Sequence, residues 1–476
     1  MTDYDAFLES KRLVAPLSGF EVDRSSLNPA AFDWQKLIAE WAIRRGKAAI
    51  FADYGLGKTL QILMFAQAII ERTNKPFLIL SPLGAAKQTS HIEAPKFGYE
   101  AVYCKSQSDV PNRAVICVTN YERLHLFDPR AFGGMAADEA SIIKDFAGKT
   151  RNQVLDMFAY TPYKLMATAT PSPNNHAELG NYAQALDIMS YQEMLSTFFE
   201  RRDKSSSAWS LGGWGAKGFW EWLASWAMVL RKPSDLGFSD DGYDLPPLHI
   251  HTIDVEHTQR EYIQAEGAQL YLFPVEARGL SAQRNARKVT MEDRIDVIAE
   301  LVNASTDQWV VWGETNAECD YAEKRLKDVV QVAGRHSEEH KEDSIVRFRS
   351  GAIRVLVSKA KIFGHGLNLQ NCHQVAYLGW SNSFEGFDQS LHRFHRYGQA
   401  HAVDVYIPTT DFDGAIIRNI NRKRQEHNEK IDSVVAHTQA FTLANVQQAA
   451  RERIDYQPTM PMRLPAWLQE QSYVSR

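Results

Sequence analysis

The segment IFADYGLGKTLQI, residues 50–62, decides the fold because it sets a glycine-containing turn between two different apolar patterns. The run before the turn, KAAIFA, is typical of a buried strand, whereas TLQILMFAQAIIERT repeats apolar residues three and four positions apart, as an amphipathic helix does. A strand, a turn with Gly-Lys-Thr and a helix are the context that a phosphate-binding loop requires. The segment departs from the usual pattern at Ala52, which stands where the first glycine is expected.

The residues of this loop have separate expected roles. Backbone N–H groups at a helix start bind phosphate oxygens, and Gly55 and Gly57, on either side of Leu56, let the backbone approach a ligand closely. Lys58 is expected to neutralise the β- and γ-phosphates of a nucleotide, and the Thr59 hydroxyl to bind Mg²⁺. The alternative is a buried turn that contains Gly-Lys-Thr by chance.

Two adjacent carboxylates follow the loop along the chain. Asp138 and Glu139 end the run GGMAADE, where one carboxylate can hold Mg²⁺ and the other can polarise the attacking water. A surface acidic pair is the commoner explanation of a lone Asp-Glu, but the order of phosphate loop, acidic pair and TATPSPN favours a nucleotide site. Gln35, on a predicted helix before the loop, is expected to read adenine through its amide, with an exposed helical glutamine as the alternative.

A second block of short apolar runs extends from QWVVWGE to VDVYIPT. In this block the turn GHGLNLQ is expected to bring Gly366 and Asn368 close to a phosphate. Gln389, Arg393 and Arg396 recur four and three residues apart, on one face of a predicted helix. Two arginines on one stripe favour a bound anion, which across a cleft would be the γ-phosphate. The alternative is an exposed basic helix that binds nucleic acid.

Strand and helix patterns alternate in both blocks, which predicts the α/β class with two domains built on parallel sheets flanked by helices. The tryptophan-rich segment between them, WSLGGWGAKGFWEWLASWAMVLRK, predicts a small helical insertion that packs on the first domain. Stacking on nucleic acid is its alternative. The expected divisions are an N-terminal segment at 1–29, the first domain at 30–180, the insertion at 181–247, a linker with a short helical protrusion at 248–287, the second domain at 288–435 and a C-terminal tail at 436–476.

The composition sets limits on the class of protein. A chain of 476 residues predicts two or three domains, and a net charge of -5 means that any nucleic-acid surface must be local. Four scattered cysteines without a C-x-x-C pair predict buried small residues in a reducing compartment. The N-terminus lacks the apolar core of a signal peptide, and no apolar run reaches about 18 residues, so the expectation is a cytoplasmic protein without membrane contact.

The motifs, in this order and spacing, resemble those of superfamily-two helicases, and most closely those of SWI/SNF-type translocases. The matching segments are ADYGLGKT, DEAS, TATPSPN, GHGLNLQ and QSLHRFHRYGQ. The last is the most specific, because its ending at Gln399 separates this branch from DEAD-box RNA helicases. The family itself carries alanine at the position of Ala52. Tyr54, Ser141 and Ala169 depart from the family pattern, but none of these departures removes a phosphate ligand.

The resemblance implies two tandem RecA-like P-loop domains that bind ATP and Mg²⁺ between them. Lys58 and Thr59 would hold ATP on one side, with Arg393 and Arg396 on the other, and Asp138 would join Thr59 as a metal ligand. Gly366 and Gln389 would also line this site. The implied activity is that of a nucleic-acid-stimulated ATPase, a DNA translocase or helicase that holds duplex DNA at its phosphates without reading sequence. Nucleic-acid contacts are implied for Ser81, Lys87, Thr119, Thr315, Arg335, Lys359 and Asn368.

Short insertions favour a compact prokaryotic or phage member, located in the cytoplasm of a prokaryotic cell or an infected host cell. Two other functions stay open. An RNA-directed helicase would show ATPase stimulation by RNA but not by duplex DNA. A nucleic-acid-binding recruitment protein with an idle ATPase would bind without turnover, although Lys58, Glu139 and the two arginines are all present.

Overall fold

The computed structural model describes residues 14–143, 148–172, 175–201, 209–213, 215–241, 243, 245–256, 280–363, 368–380 and 383–446. Its strands are β1 (Lys47–Ala52), β2 (Phe77–Ser81), β3 (Ala101–Tyr103), β4 (Ile116–Asn120), β5 (Gly134–Asp138), β6 (Tyr163–Thr168), β7 (Phe199–Arg201), β8 (Trp209–Leu211), β9 (Ala227–Leu230), β10 (Leu248–Asp254), β11 (Trp309–Gly313), β12 (Val329–Val332), β13 (Val355–Lys359), β14 (Gln374–Tyr377) and β15 (Val403–Thr409).

The α-helices are α1 (Asp33–Arg45), α2 (Lys58–Thr73), α3 (Leu83–Gln88), α4 (Ala94–Lys96), α5 (Lys149–Phe158), α6 (Leu179–Ala185), α7 (Tyr191–Phe198), α8 (Ala216–Ala224), α9 (Leu280–Val289), α10 (Met291–Ala304), α11 (Asn316–Arg325), α12 (Glu338–Arg349), α13 (Ala360–Phe363), α14 (Phe384–Leu391) and α15 (Gly414–Val446). Among the described helices, none combines the length and apolar character that crossing a bilayer requires.

The first lobe is built on a parallel sheet, as predicted. Within the described residues this sheet has seven strands in the order β3-β4-β2-β5-β6-β1-β9, and each neighbouring pair runs parallel. Side chains alternate between its two faces: Ala49 and Phe51 pack into one apolar core, and Ala48 and Ile50 into the other. A sheet covered on both faces explains why its strands are nearly continuous apolar runs.

The second lobe repeats this architecture. Its parallel sheet has the order β10-β15-β14-β11-β13-β12 over the part of the chain that the structure describes. The strand runs predicted in this block all form, and two apolar cores again lie on opposite faces. The predicted α/β fold of two tandem RecA-like domains is therefore confirmed. In both sheets the carboxyl ends of parallel strands meet at one edge, which is where such folds place ligands.

Two strands of the large parallel sheets come from ranges that the sequence pattern assigned elsewhere. β9 falls within the expected insertion at 181–247, yet it pairs with β1 and closes the first sheet, with Ala49 opposite Ala227. β10 falls within the expected linker at 248–287, yet it pairs with β15 as the edge strand of the second sheet. β9 is a short apolar run directly after a helix, and β10 alternates polar and apolar residues because its outer face is exposed.

The tryptophan-rich segment packs into the first lobe. Trp222 is 1% exposed and its ring lies 5.3 Å from that of Phe198 and 5.2 Å from that of Trp226. Phe219 lies 5.7 Å from the ring of Trp222. Burial, and not a stacking surface for bases, is therefore the role of these rings. Trp214 lies outside the described residues.

Helix α15 links the two lobes, because it begins beside the second sheet and ends on the first lobe. Val434 and Val435 belong to a core cluster of the first lobe. The side-chain amide of Asn445 donates to the carbonyl of Ala224 at 3.0 Å. The expected start of the C-terminal tail at residue 436 therefore falls inside a helix, whose apolar positions pack on the neighbouring lobe. Residues 447–476 of that tail lie outside the described residues.

We expect Trp222→Ala to lower the free energy of unfolding by about 3–5 kcal/mol, because it leaves a large cavity among aromatic rings. Urea unfolding followed by circular dichroism measures the loss. Leu17→Ala is the control, since that side chain is 62% exposed and its truncation should change stability by no more than about 0.5 kcal/mol. Equal effects of the two substitutions would show that the segment is not part of the core.

Candidate nucleotide site between the two lobes

A cavity of about 380 Å³ lies between the two lobes, where both contribute charged side chains. Its volume falls within the range of small-molecule sites. From the first lobe it is lined by Gln35, Gly55, Gly57, Lys58, Thr59, Asp138 and Glu139, and from the second by Asn368, Gln370, His392, Arg393, Arg396 and Tyr397. The structure thus brings together the catalytic residues predicted from two distant parts of the sequence.

The phosphate loop has the backbone geometry that an anion site needs. Gly55 and Gly57 have φ angles of 80° and 71°, which only glycine adopts without strain. Gly57 is the N-cap of helix α2 and, being glycine, has no side chain that could cap the first N–H groups of the helix. A Cβ atom at Gly57 would lie 2.3 Å from the amide nitrogen of Gln35. These residues therefore fit a bound phosphate chain.

The side chain of Gln35 packs against the phosphate loop and holds it by a hydrogen bond. Its amide nitrogen donates to the carbonyl of Leu56 at 3.3 Å, and its amide oxygen accepts from the backbone N–H of Phe32 at 3.1 Å. Gln61 donates to the same Leu56 carbonyl at 3.0 Å. The side chain of Gln35 is buried, so the alternative of an exposed helical glutamine is wrong. Recognition of adenine by this amide stays a prediction.

The ammonium group of Lys58 lies inside its own loop. It donates to the carbonyls of Ala52 and Asp53 at 2.7 and 3.0 Å, and it lies 5.6 Å from the ring centre of Tyr54. Burial lowers the pKa of Lys58, while the carboxylate of Glu139 counteracts this change. The lysine is therefore held in place by weak carbonyl partners that a phosphate can replace.

Asp138 ends β5 as a partly buried carboxylate. Its Oδ2 atom accepts from the hydroxyl of Ser81 at 3.4 Å, and its Oδ1 atom accepts from the N–H of Glu139 at 3.1 Å. Burial raises the pKa of Asp138 to about 6, repulsion from Glu139 adds to the rise, and Lys58 opposes it. A carboxyl group with a raised pKa, next to a second carboxylate at the edge of a cleft, is a candidate cation ligand.

Glu139 occupies a strained position and faces the other lobe. Its φ angle is 54°, a left-handed value that is uncommon for a residue with a side chain. Its Oε1 atom accepts hydrogen bonds from Ser141 at 3.2 Å and from the Gln389 amide at 3.3 Å. Gln389 therefore contacts the acidic pair directly. Ser141, which departs from the family pattern, orients the carboxylate from its own lobe.

The two arginines line the cleft and are half-buried. The guanidinium of Arg396 donates to Asn368, whose amide donates to Glu93 of the first lobe at 3.1 Å. Burial and repulsion from Arg393 lower the pKa of Arg396 to about 10. Burial also lowers the pKa of Arg393, while attraction to Glu139 opposes the change. Two neighbouring half-buried cations fit a site that receives an anion.

Tyr54 and His392 form a contact between lobes that the sequence did not predict. Their rings stack at 4.2 Å between centroids and 10° between planes. Burial lowers the pKa of His392, but the carboxylate of Asp388 raises it, and the net shift is upward. The one available signal was the departure of Tyr54 from the family pattern. The residue on which Tyr54 stacks could not be predicted, because it is set by the way the two lobes pack against each other.

Aromatic residues at the mouth of the cavity were also missed. The rings of Tyr243 and Tyr397 stack at 4.8 Å and 24°, and Phe32 meets Tyr397 edge-on at 6.0 Å. Phe32 directly precedes helix α1, which carries Gln35. The three rings come from three separate segments, so no local pattern in the sequence could have grouped them.

The predicted nucleic-acid residues occupy different environments. Ser81 and Thr119 are fully buried in the first sheet, because strand alternation directs them inward. In this conformation their hydroxyls are not accessible to a nucleic-acid backbone. The Ser81 hydroxyl donates a hydrogen bond to Asp138 instead. Asn368 lies within the cleft between Arg396 and Glu93.

The other predicted nucleic-acid residues lie nearer the surface. Thr315 is exposed and caps helix α11, and Lys359 ends β13 at the carboxyl edge of the second sheet. Arg335 forms an exposed ion pair with Asp320 at 2.8 Å, and Lys87 lies in helix α3. Their contacts with nucleic acid stay predictions. Gly366, predicted to line the nucleotide site, lies outside the described residues.

We expect Asp138→Asn to stabilise the nucleotide-free protein above pH 6 by roughly 1–3 kcal/mol. The folded state raises the pKa of this carboxyl from 3.8 to about 6, so folding is penalised once the pH rises through these values. The gain should shrink as the pH falls below 6 and vanish near pH 4. Urea unfolding in Mg²⁺-free buffer at several pH values tests this.

The matched control is Asp156→Asn, which changes an exposed aspartate on helix α5. It should leave the pH dependence of stability unchanged. If Asp138→Asn destabilised the protein equally at pH 8 and pH 5, the assignment of a costly buried charge to Asp138 would be wrong.

Parts of the chain are similar to known proteins. The helicase conserved C-terminal domain family matches residues 293–398. The chain is 22% identical over 417 residues to a Bacillus subtilis (strain 168) protein named uncharacterized ATP-dependent helicase YqhH, and the alignment covers 76% of this chain and 72% of that protein. A solved structure, the Sulfolobus solfataricus SWI2/SNF2 ATPase core in complex with dsDNA, is similar over 90% of this chain and 99% of its own, at 17% identity and a TM-score of 0.42.

The family match covers the part of the second lobe that carries Gln389, Arg393 and Arg396. The first lobe carries the phosphate loop and the acidic pair in the order that the motifs predict. The resemblance inferred from those motifs is therefore confirmed: residues 293–398 match the helicase conserved C-terminal domain, and the chain is similar to an ATP-dependent helicase over 417 residues.

Proposed function

We propose that the protein is a nucleic-acid-stimulated ATPase that translocates along duplex DNA. The observation that carries this proposal is the composition of the cavity between the lobes. The phosphate loop and acidic pair of one lobe face the two arginines of the other across that cavity. The Bacillus subtilis relative is named an ATP-dependent helicase, which supports the use of ATP.

Residues of the first lobe would bind the triphosphate. The N–H groups after Gly57 would hold phosphate oxygens, and Lys58 would leave its two loop carbonyls for the β- and γ-phosphates. Thr59 and Asp138 would hold Mg²⁺, which neutralises charge on the phosphates when it is bound. Because Mg²⁺ favours the ionised carboxyl, it would relieve the cost of the charge on Asp138.

Hydrolysis would use residues of both lobes. Glu139 would orient and deprotonate the attacking water, and its hydrogen bond from Gln389 would keep the carboxylate aimed across the cleft. Arg393 and Arg396 would stabilise charge on the γ-phosphate in the transition state. The arginines are presented by the segment after helix α14, and the buried Gln399 amide holds this segment by donating to the carbonyls of Cys372 and Phe394.

Movement would follow from the location of the site. A γ-phosphate that contacts both lobes favours the closed arrangement, and its loss removes that differential interaction. Nucleic acid held at its phosphates by both lobes would then be advanced by repeated closure. Binding through phosphates requires no reading of bases, and it explains why a chain with a net charge of -5 needs only a local basic surface.

We expect Glu139→Gln to lower the ATPase rate by about 10²- to 10⁴-fold, because the amide cannot accept a proton from water. Nucleotide affinity, measured with a fluorescent ATP analogue, should persist. Glu122→Gln is the matched control, since it changes an exposed glutamate of the same lobe. A Glu139→Gln variant that turns over ATP as fast as the parent would contradict the catalytic assignment.

We expect duplex DNA to stimulate the ATPase more than single-stranded DNA or RNA of equal length does. Stimulation should weaken steeply as salt rises, because phosphate contacts release counterions. Triplex displacement without fork unwinding would identify a translocase, and unwinding would identify a helicase. Stimulation by RNA alone would replace this proposal with that of an RNA-directed helicase.

A further inference from the structure

A cluster of three potential metal ligands lies on the second sheet, away from the nucleotide cavity. His249 and His251 belong to β10, and Asp404 belongs to the neighbouring β15. Side chains two positions apart on a strand point to the same face, so both imidazoles project together. The register pairs His249 directly with Asp404, which brings the carboxylate to the same face. Pairing of β10 with β15 therefore brings the two histidines of L-H-I-H-T-I-D together with Asp404 on one face of the sheet.

Both imidazoles contact the same carboxylate oxygen. The Oδ1 atom of Asp404 lies 3.1 Å from Nδ1 of His249 and 2.8 Å from Nε2 of His251. The three ligand atoms all lie within 4.8 Å of one another. Metal–ligand distances of about 2.0–2.2 Å in a tetrahedral zinc site imply ligand–ligand distances of about 3.3–3.6 Å. An ion would therefore fit if both imidazole nitrogens moved a few tenths of an ångström away from Oδ1 of Asp404 and closed on each other by up to about 1.5 Å.

Neighbouring side chains hold the ligands in place. The amide of Gln374, on β14, lies 3.5 Å from Oδ2 of Asp404, the oxygen that the histidines do not contact. The ring of His251 stacks on that of Tyr406 at 4.8 Å and 22°. Outer contacts of this kind orient metal ligands. The histidine side chains are 51% and 45% exposed, which gives an ion access and leaves room for a water ligand.

We propose that His249, His251 and Asp404 bind a divalent transition-metal ion, with Zn²⁺ the best match. Two imidazoles and one carboxylate suit zinc and its neighbours, whereas Mg²⁺ and Ca²⁺ prefer oxygen ligands. The ion would bridge β10 to β15. β10 is an edge strand held by one neighbour and is the first strand of the second sheet after the segment that leaves the first lobe. The ion would thus fasten the entry of the chain into the second lobe.

The first experiment measures binding to the full chain, stripped with a chelator and free of nucleotide. Titration with Zn²⁺ is followed by calorimetry, and Co²⁺ is used as a spectroscopic probe of tetrahedral coordination. One equivalent should bind and raise the thermal midpoint, because a ligand of the folded state stabilises it. His251→Ala and Asp404→Asn should each weaken binding by at least tenfold. His125→Ala, which removes an exposed histidine of the first lobe, should leave binding unchanged.

A second measurement separates a metal site from a hydrogen-bonded surface cluster. Hydrogen exchange of the β10 amides should slow on addition of Zn²⁺ in the parent protein and stay unchanged in His251→Ala. Asp138→Asn, at the nucleotide site, should change neither the Zn²⁺ affinity of this cluster nor the slowing of β10 exchange by Zn²⁺.

Three results would overturn the proposal: no binding by the parent, binding that survives both substitutions, or binding that leaves β10 exchange unchanged. Loss of this site would leave the ATPase proposal intact, because the two rest on different residues.

Discussion

The site depends on partly buried charges of the two lobes that compensate one another. Lys58, Arg393 and Arg396 share a cleft with Asp138 and Glu139, and ions withdrawn from water are costly unless opposite charges or hydrogen bonds replace the solvent. The shifted pKa values of Asp138 and Arg396 express that cost. A magnesium triphosphate, bound as we propose, would supply the missing charges, since it offers anionic oxygens to the cations and a cation to the carboxylates.

The two parallel sheets make this compensation possible. β1 ends at the phosphate loop and β5 at the acidic pair, so pairing of β5 with β6 and of β6 with β1 places both groups at one edge. In the second lobe, the backbone N–H of Leu369 donates to the carbonyl of Arg393 at 3.1 Å. The loop and the arginine segment are therefore held together. Each lobe carries one half of a site that neither completes alone.

The local sequence pattern was sufficient to predict the phosphate loop and the acidic pair, but not every strand or the contacts between the lobes. The phosphate loop and Asp138 were predictable because each requirement is met within a few consecutive residues. β9 was missed because its partner β1 lies far away in the chain, and β10 because an exposed edge strand alternates polar and apolar residues. The burial of Ser81 and Thr119 depends on their position within a covered sheet. The stacking of Tyr54 on His392 depends on the fit between lobes, which no local pattern contains.

Helix α15 has a consequence for how the lobes can move. The polypeptide passes from the first sheet to the second between β9 and β10, and it returns through α15, where Arg231 and Asp432 form an ion pair at 2.6 Å. Two crossings leave far fewer relative motions than a single tether does. Separation of the lobes is therefore limited by two crossings of the chain, and any opening motion has to preserve both of them.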